Sequence, residues 1–188
     1  MRDPNQIITY TKIDMDPFSP NESEISVADI AHALSLLCRA NGHISHFYSV
    51  AQHCLNCERE AFERGYSPAV RLYCLLHDAT ECYISDLTRP VKRRFPLYYE
   101  AEERLADVIY RALTGRVPTE SELKQVGEID DCLLHHEFLS MADVIMFDSE
   151  PQHIAQFDFD FKNPAEVEKA FIEKFDELGS MIKEQNNG

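Results

Sequence analysis

In Leu75-Leu76-His77-Asp78-Ala79-Thr80-Glu81 an adjacent histidine and aspartate interrupt an otherwise apolar helical stretch. No other feature constrains the fold as strongly. Burying either group without a partner costs a few kcal/mol, and more for an ionised carboxylate. The chain must therefore bring polar partners to both. A bound metal is one such partner, because an imidazole nitrogen beside a carboxylate oxygen suits a borderline or hard divalent ion.

The segments around this pair read as helices joined by short loops. Residues 1–24 are irregular, with a weak alternation at Ile7, Thr9, Thr11 and Ile13 that allows one short extended segment or hairpin. A first helix is predicted from Val27 to Arg39, with Ser26 as N-cap and Asn41-Gly42 as its stop. Ser49 and Gln52 form a capping-box pattern for a helix that reaches Gly65, and Ser67-Pro68 starts the helix that carries His77 and Asp78. A turn over Asp86–Pro90 precedes a long helix from Leu97 to Leu113, stopped by Gly115. Thr119 with Glu122 opens a helix predicted to reach Met146. Asp158–Phe161 alternates as a brief extended stretch, and Asn163-Pro164 caps a last helix running to Lys183. The expected architecture is a single all-α domain over residues 1–188.

At 188 residues the chain is long enough for a substantial core. No apolar run approaches bilayer length, and Met1-Arg2-Asp3-Pro4-Asn5 lacks a signal-peptide h-region, so a soluble, cytoplasmic protein is expected. Six cysteines in helical, mostly apolar contexts fit reduced thiols rather than a disulfide framework. Cys54-x-x-Cys57 sits inside a helix without a second CxxC and reads as helical packing. The formal net charge of −15 argues against a nucleic-acid polymer as partner. It leaves room for a small phosphorylated substrate near Arg89, Lys92, Arg93 and Arg94, with Lys92 turned inward and Arg93 and Arg94 solvated.

Four positions would complete a metal site. His53 stands near the start of its helix, and His77 and Asp78 project about 100° apart from the next. The last ligand must come from later in the chain, and Ile129-Asp130-Asp131 is its natural source. Asp130 shares a helical stripe with Val126, Leu133, Leu134 and Glu137, whereas Asp131 is rotated away. Asp130 is the choice and Asp131 the alternative.

The ordered set His53, His77-Asp78, Asp130 resembles the H…HD…D signature of the HD-domain metal-dependent phosphohydrolases. Ser49-Val50-Ala51-Gln52-His53 is similar to the S-V-(A/S)-E-H segment of the branch that contains bacterial 5′-deoxynucleotidases. His77-Asp78-Ala79-Thr80-Glu81, followed by Asp86-Leu87 and Pro90-Val91-Lys92, resembles that branch's H-D-A-x-E…D-L-x-x-P-V-K run. The resemblance covers residues 25–145 and implies an HD-type helical bundle holding one divalent ion (Mn, Co, Fe, Zn, Ni or Mg) through His53, His77, Asp78 and Asp130. It further implies Glu81 as the acid-base group, Arg39 as a phosphate clamp, Asp86 as acceptor of a sugar hydroxyl and Lys92 as a second phosphate contact. A homo-oligomer, dimer or larger, is also implied. Arg39 can instead pair with a helix C-terminus, and Asp86 can be a simple turn former.

Two positions depart from that branch. Arg39 is followed by Ala40 where relatives carry tryptophan, which leaves His43, His46 or Phe47 to shape the sugar pocket. Gly127 stands where relatives carry a lysine, with Lys124 one turn earlier. His135-His136 does not supply the extra ligands of a dinuclear centre. Phe157, Phe159 and Phe161 read as packing, or as a subunit contact. The expected activity is hydrolysis of (deoxy)nucleoside 5′-monophosphates. The alternatives are a deoxynucleoside triphosphate triphosphohydrolase releasing tripolyphosphate and a non-catalytic nucleotide-binding module.

Overall fold

The computed structural model describes residues 3–187; Met1, Arg2 and Gly188, at the ends of the expected domain, lie outside the described residues. The chain is all-α, with helices α1 (Val27–Leu36), α2 (Val50–Glu63), α3 (Pro68–Leu76), α4 (Glu81–Ile84), α5 (Arg89–Lys92), α6 (Pro96–Thr114), α7 (Glu120–Ala142) and α8 (Pro164–Asn187). The N-terminal alternation forms a small antiparallel hairpin, β1 (Ile7–Ile8) on β2 (Asp14–Met15), with Ile7 opposite Met15. Asp29 of α1 anchors it, accepting from the Thr11 backbone N–H at 2.6 Å and the Thr11 hydroxyl at 2.7 Å. Among the described residues no helix is long and apolar enough to cross a membrane.

Local chemistry sets most helix ends. Ser49 Oγ accepts from Gln52 N at 3.2 Å while Gln52 Oε1 accepts from Ser49 N at 3.3 Å, closing the capping box of α2. The same reciprocal pair, Thr119 and Glu122, opens α7. Ser67 caps α3 behind Pro68, and Gly115 takes the left-handed conformation that ends α6 (φ 79°). Ser49 is fully buried at the root of the helix that carries His53. Ser49→Ala is expected to cost about 1 kcal/mol, a melting shift of roughly 2–4 °C for a chain this size. An unchanged thermal midpoint contradicts that capping role.

α3 is central, packing on α2, α7 and α8, while α1 packs on α8 and α2. Leu34, Leu75, Leu76, Leu105, Ile109, Ile129, Leu133 and Phe171 belong to one continuous apolar cluster. All six cysteines carry free thiols, and Cys54, Cys57 and Cys74 pack within that cluster. The irregular segment 143–163 is strapped onto α2 by polar side chains. Glu60 accepts from Ile154 N and Ala155 N, and Gln52 and Asn56 donate to the carbonyls of Asp160 and Asp158.

Several boundaries differ from those expected. α1 stops at Leu36 rather than Arg39, because residues 37–39 pair with the start of α2: Arg39 N donates to Tyr48 O at 2.8 Å and Val50 N to Leu37 O at 3.0 Å. Ala40 and Asn41 then take left-handed backbone (φ 54° and 51°), at about 1–2 kcal/mol for each L-residue. α7 stops at Ala142 rather than Met146, since Asp143 turns left-handed and Ser45 N donates to the Met141 carbonyl. Residues 158–161 form no strand. Phe159 packs edge-on against Tyr48 and Phe161 against Phe47. Residues 89–92, expected to begin as part of a turn, form the short helix α5.

Candidate metal centre

His77 and Asp78 do not sit within a helix, as expected, but in the turn that follows α3. The stopped helix leaves carbonyls free, and His77 Nδ1 takes one of them, donating to Cys74 O at 2.8 Å. A carbonyl only accepts, so Nδ1 carries the proton and Nε2 is the nitrogen available for a ligand. On α2, His53 is fully buried, and its Nδ1 lies 2.6 Å from Glu137 Oε1. Its Nε2 is likewise turned to the interior of the site.

The two imidazoles and two carboxylates converge. His53 Nε2 lies 3.1 Å from His77 Nε2 and 3.2 Å from Asp130 Oδ1. His77 Nε2 lies 3.3 Å from Asp78 Oδ2, and the remaining imidazole–carboxylate separations are both 3.7 Å. Donors about 2.0–2.2 Å from one ion stand roughly 2.8–3.6 Å apart at right-angle or tetrahedral spacing. The donor set and its spacing thus fit a divalent ion.

The electrostatics point the same way. Burial pulls His77 down, but Asp78, Cys54 and Asp130 outweigh it and raise the imidazole well above its ordinary value. Burial and Arg39 oppose protonation of His53, yet Glu137 and Asp130 leave it raised. Burial pushes Asp130 up, whereas its hydrogen bonds with both histidines hold it well below the usual carboxylate range. For Asp78 burial is likewise overcome, by His77 and Arg39.

Arg39 lies against this cluster. Its guanidinium donates to Glu137 Oε2 at 3.2 Å, Asp78 Oδ2 at 3.2 Å and Asp130 Oδ1 at 3.4 Å. It pairs with these carboxylates rather than with a helix C-terminus. Glu137 escaped the sequence reading as a functional residue. Its signal was its place seven residues after Asp130, two turns along the same face. Because Glu137 joins His53 to Arg39, Glu137→Gln is expected to weaken divalent-metal affinity about 10–100-fold. Titration calorimetry reads this directly, and unchanged affinity contradicts the orienting role.

Above the cluster opens a cavity of about 350 Å³, lined by Arg39, Asp78, Glu81, Asp86, Lys92 and Asp130, with Leu134, Phe138 and Met146 as an apolar wall. Every predicted site residue except the two histidines lines it. A larger cleft of about 610 Å³ behind the hairpin holds none of the four donors and shares only Glu81 with this cavity. Glu81 is buried, and its Oε2 has no hydrogen-bond partner among the described residues. Burial, then Asp78 and Asp86, raises its pKa well above the carboxylate range. Lys92 Nζ donates to Glu102 at 2.6 Å and lies 3.8 Å from Glu81 Oε1.

Arg89 holds Asp130 Oδ2 and Asp131 Oδ1, each at 2.7 Å. Asp130 thereby faces the histidines with one oxygen, while Asp131 points to Arg89 and solvent. Of the three side chains considered for the gap at Ala40, only His43 lines the cavity. His46 meets the Phe159 carbonyl and Phe47 meets Phe161. His136 donates to Pro151 O, and His135 stacks on Phe147, so both are engaged with the 147–157 segment.

No family model matches the chain. The chain is similar to the uncharacterized protein YfdR of Escherichia coli (strain K12), 42% identical over 106 residues, which are 54% of this chain and 53% of that protein. It is also similar to the uncharacterized protein RCAP_rcc00048 of Rhodobacter capsulatus, 37% identical over 102 residues, 51% of this chain and 52% of that protein. The chain spans about half the length of the curated relatives it matches.

Proposed function

We propose that the chain is a divalent-metal-dependent phosphohydrolase that cleaves the phosphate ester of (deoxy)nucleoside 5′-monophosphates. The observation that carries this reading is the convergence of His53 Nε2, His77 Nε2, Asp78 Oδ2 and Asp130 Oδ1 beside a cavity with cationic and acidic walls. Held by these four, an ion of the class Mn, Co, Fe, Zn, Ni or Mg supplies Lewis acidity to the phosphoryl group and lowers the pKa of water.

The remaining residues divide the work. Arg39 keeps its Nε on Glu137, while its two Nη groups form a fork suited to phosphate oxygens once Asp78 and Asp130 are neutralised otherwise. Lys92 adds a second positive charge to the cavity lining. Glu81 is buried, and burial with Asp78 and Asp86 beside it raises its pKa, which suits a general acid that protonates the 5′-oxygen as it leaves. Asp86 accepts from a sugar hydroxyl, and Leu134, Phe138 and Met146 cover the face of a base.

The test is a panel of mono- and triphosphates offered to the metal-loaded protein, with identification of the phosphate released. Orthophosphate from monophosphates is expected. Tripolyphosphate from triphosphates replaces this reading with a triphosphohydrolase, and saturable binding without turnover replaces it with a binding module.

A further inference from the structure

We propose that Cys57 is a further ligand of the same ion, adding a sulfur to the two nitrogens and two oxygens. The inference rests on the metal-centre reading above and concerns a residue whose sequence context indicates only packing. Cys57 lies one turn after His53 on α2, so both side chains share a helix face. Its Sγ is 3.5 Å from His53 Nε2. That sulfur, a ring nitrogen of His53 and a ring nitrogen of His77 all lie within 4.8 Å of one another.

The spacing is that of two ligands on one ion. With a metal–sulfur bond of about 2.3 Å and a metal–nitrogen bond of about 2.0–2.1 Å, ligands about 90–120° apart on a five- or six-coordinate ion stand roughly 3.1–3.8 Å apart. Ordinary packing asks only that a buried cysteine fill space among apolar side chains. Here the sulfur instead touches the nitrogen that also faces the carboxylates. Ligation breaks the S–H bond, forms a metal–thiolate bond and releases one proton to solvent. A thiolate moves the centre's preference away from magnesium toward zinc, cobalt or iron(II).

Cobalt(II) titration of the metal-free protein tests this with a readout independent of turnover. The unmodified protein is expected to show visible d–d bands together with a near-ultraviolet thiolate-to-cobalt charge-transfer band. Cys57→Ser should keep the visible bands and lose the charge-transfer band, whereas Cys54→Ala should keep both. Visible bands without a charge-transfer band in the unmodified protein overturn the sulfur ligand alone. A charge-transfer band that survives Cys57→Ser and vanishes in Cys54→Ala overturns the choice of Cys57. Absence of cobalt binding overturns the metal centre and this inference together. Should Cys57→Ser fail to fold, X-ray absorption at the cobalt edge of the unmodified protein decides: one sulfur scatterer supports the inference and none refutes it.

Discussion

His77→Ala is expected to abolish stoichiometric metal binding and to lower phosphate release by at least about 10³-fold, since Lewis-acid stabilisation is worth several kcal/mol and each 1.36 kcal/mol is a factor of ten. The reason is geometric. His77 Nε2 lies within 3.1–3.7 Å of the other three proposed ligand atoms, and alanine leaves no donor there. The metal-free unmodified protein carries a pH signature of the same group. His77 is raised above its ordinary value of 6.5 in the fold, so its favourable contribution is complete below 6.5 and is lost as pH rises through the raised value. The metal-free protein should therefore lose stability on the alkaline side, and His77→Ala should flatten that slope. Metal binding runs the other way and tightens as pH rises, because the ion displaces protons. A His77→Ala variant that binds one equivalent of metal and turns over normally removes His77 from the site.

Glu81→Gln should lower kcat by about 10²–10⁴-fold, leave metal affinity intact and raise the melting temperature. Loss of rate follows from loss of the donated proton. The stabilisation follows from the environment: Glu81 is buried, has one carboxyl oxygen unpartnered, and faces Asp78 and Asp86. A carboxyl raised in the fold contributes stability that is full below its ordinary value of 4.5 and is lost as pH climbs through the raised value. Glutamine cannot ionise, so that loss is absent from the variant. Each kcal/mol recovered should move the midpoint by roughly 2–4 °C. A variant that melts lower and hydrolyses at the original rate contradicts both the acid role and the strained environment.

Features carried by neighbouring residues were legible in the sequence. The Ser49–Gln52 and Thr119–Glu122 boxes, Pro68 and Gly115 each act within one turn, and each sets the element it was expected to set. That Asp130 faces the histidines and Asp131 faces outward was legible for the same reason, since helical register alone separates the two carboxylates. Features depending on partners distant in the chain were not. α1 ends early because the backbone of residues 37–39 is taken by residues 48–50, and no local signal at Leu37 announces them. Segment 143–163 follows Glu60, Gln52 and Asn56, three polar side chains of α2 whose partners lie far along the chain. Arg39 was visible as a cation near the site, but not as the group joining Asp78, Asp130 and Glu137.

Metal removal and return tests the central claim most directly. The protein is stripped with a chelator, and orthophosphate release from a deoxynucleoside 5′-monophosphate is followed as a divalent ion is added back. The account predicts no turnover in the stripped protein and full recovery at one equivalent of ion per chain. Turnover that survives stripping, or stays absent whatever divalent ion is supplied, contradicts it.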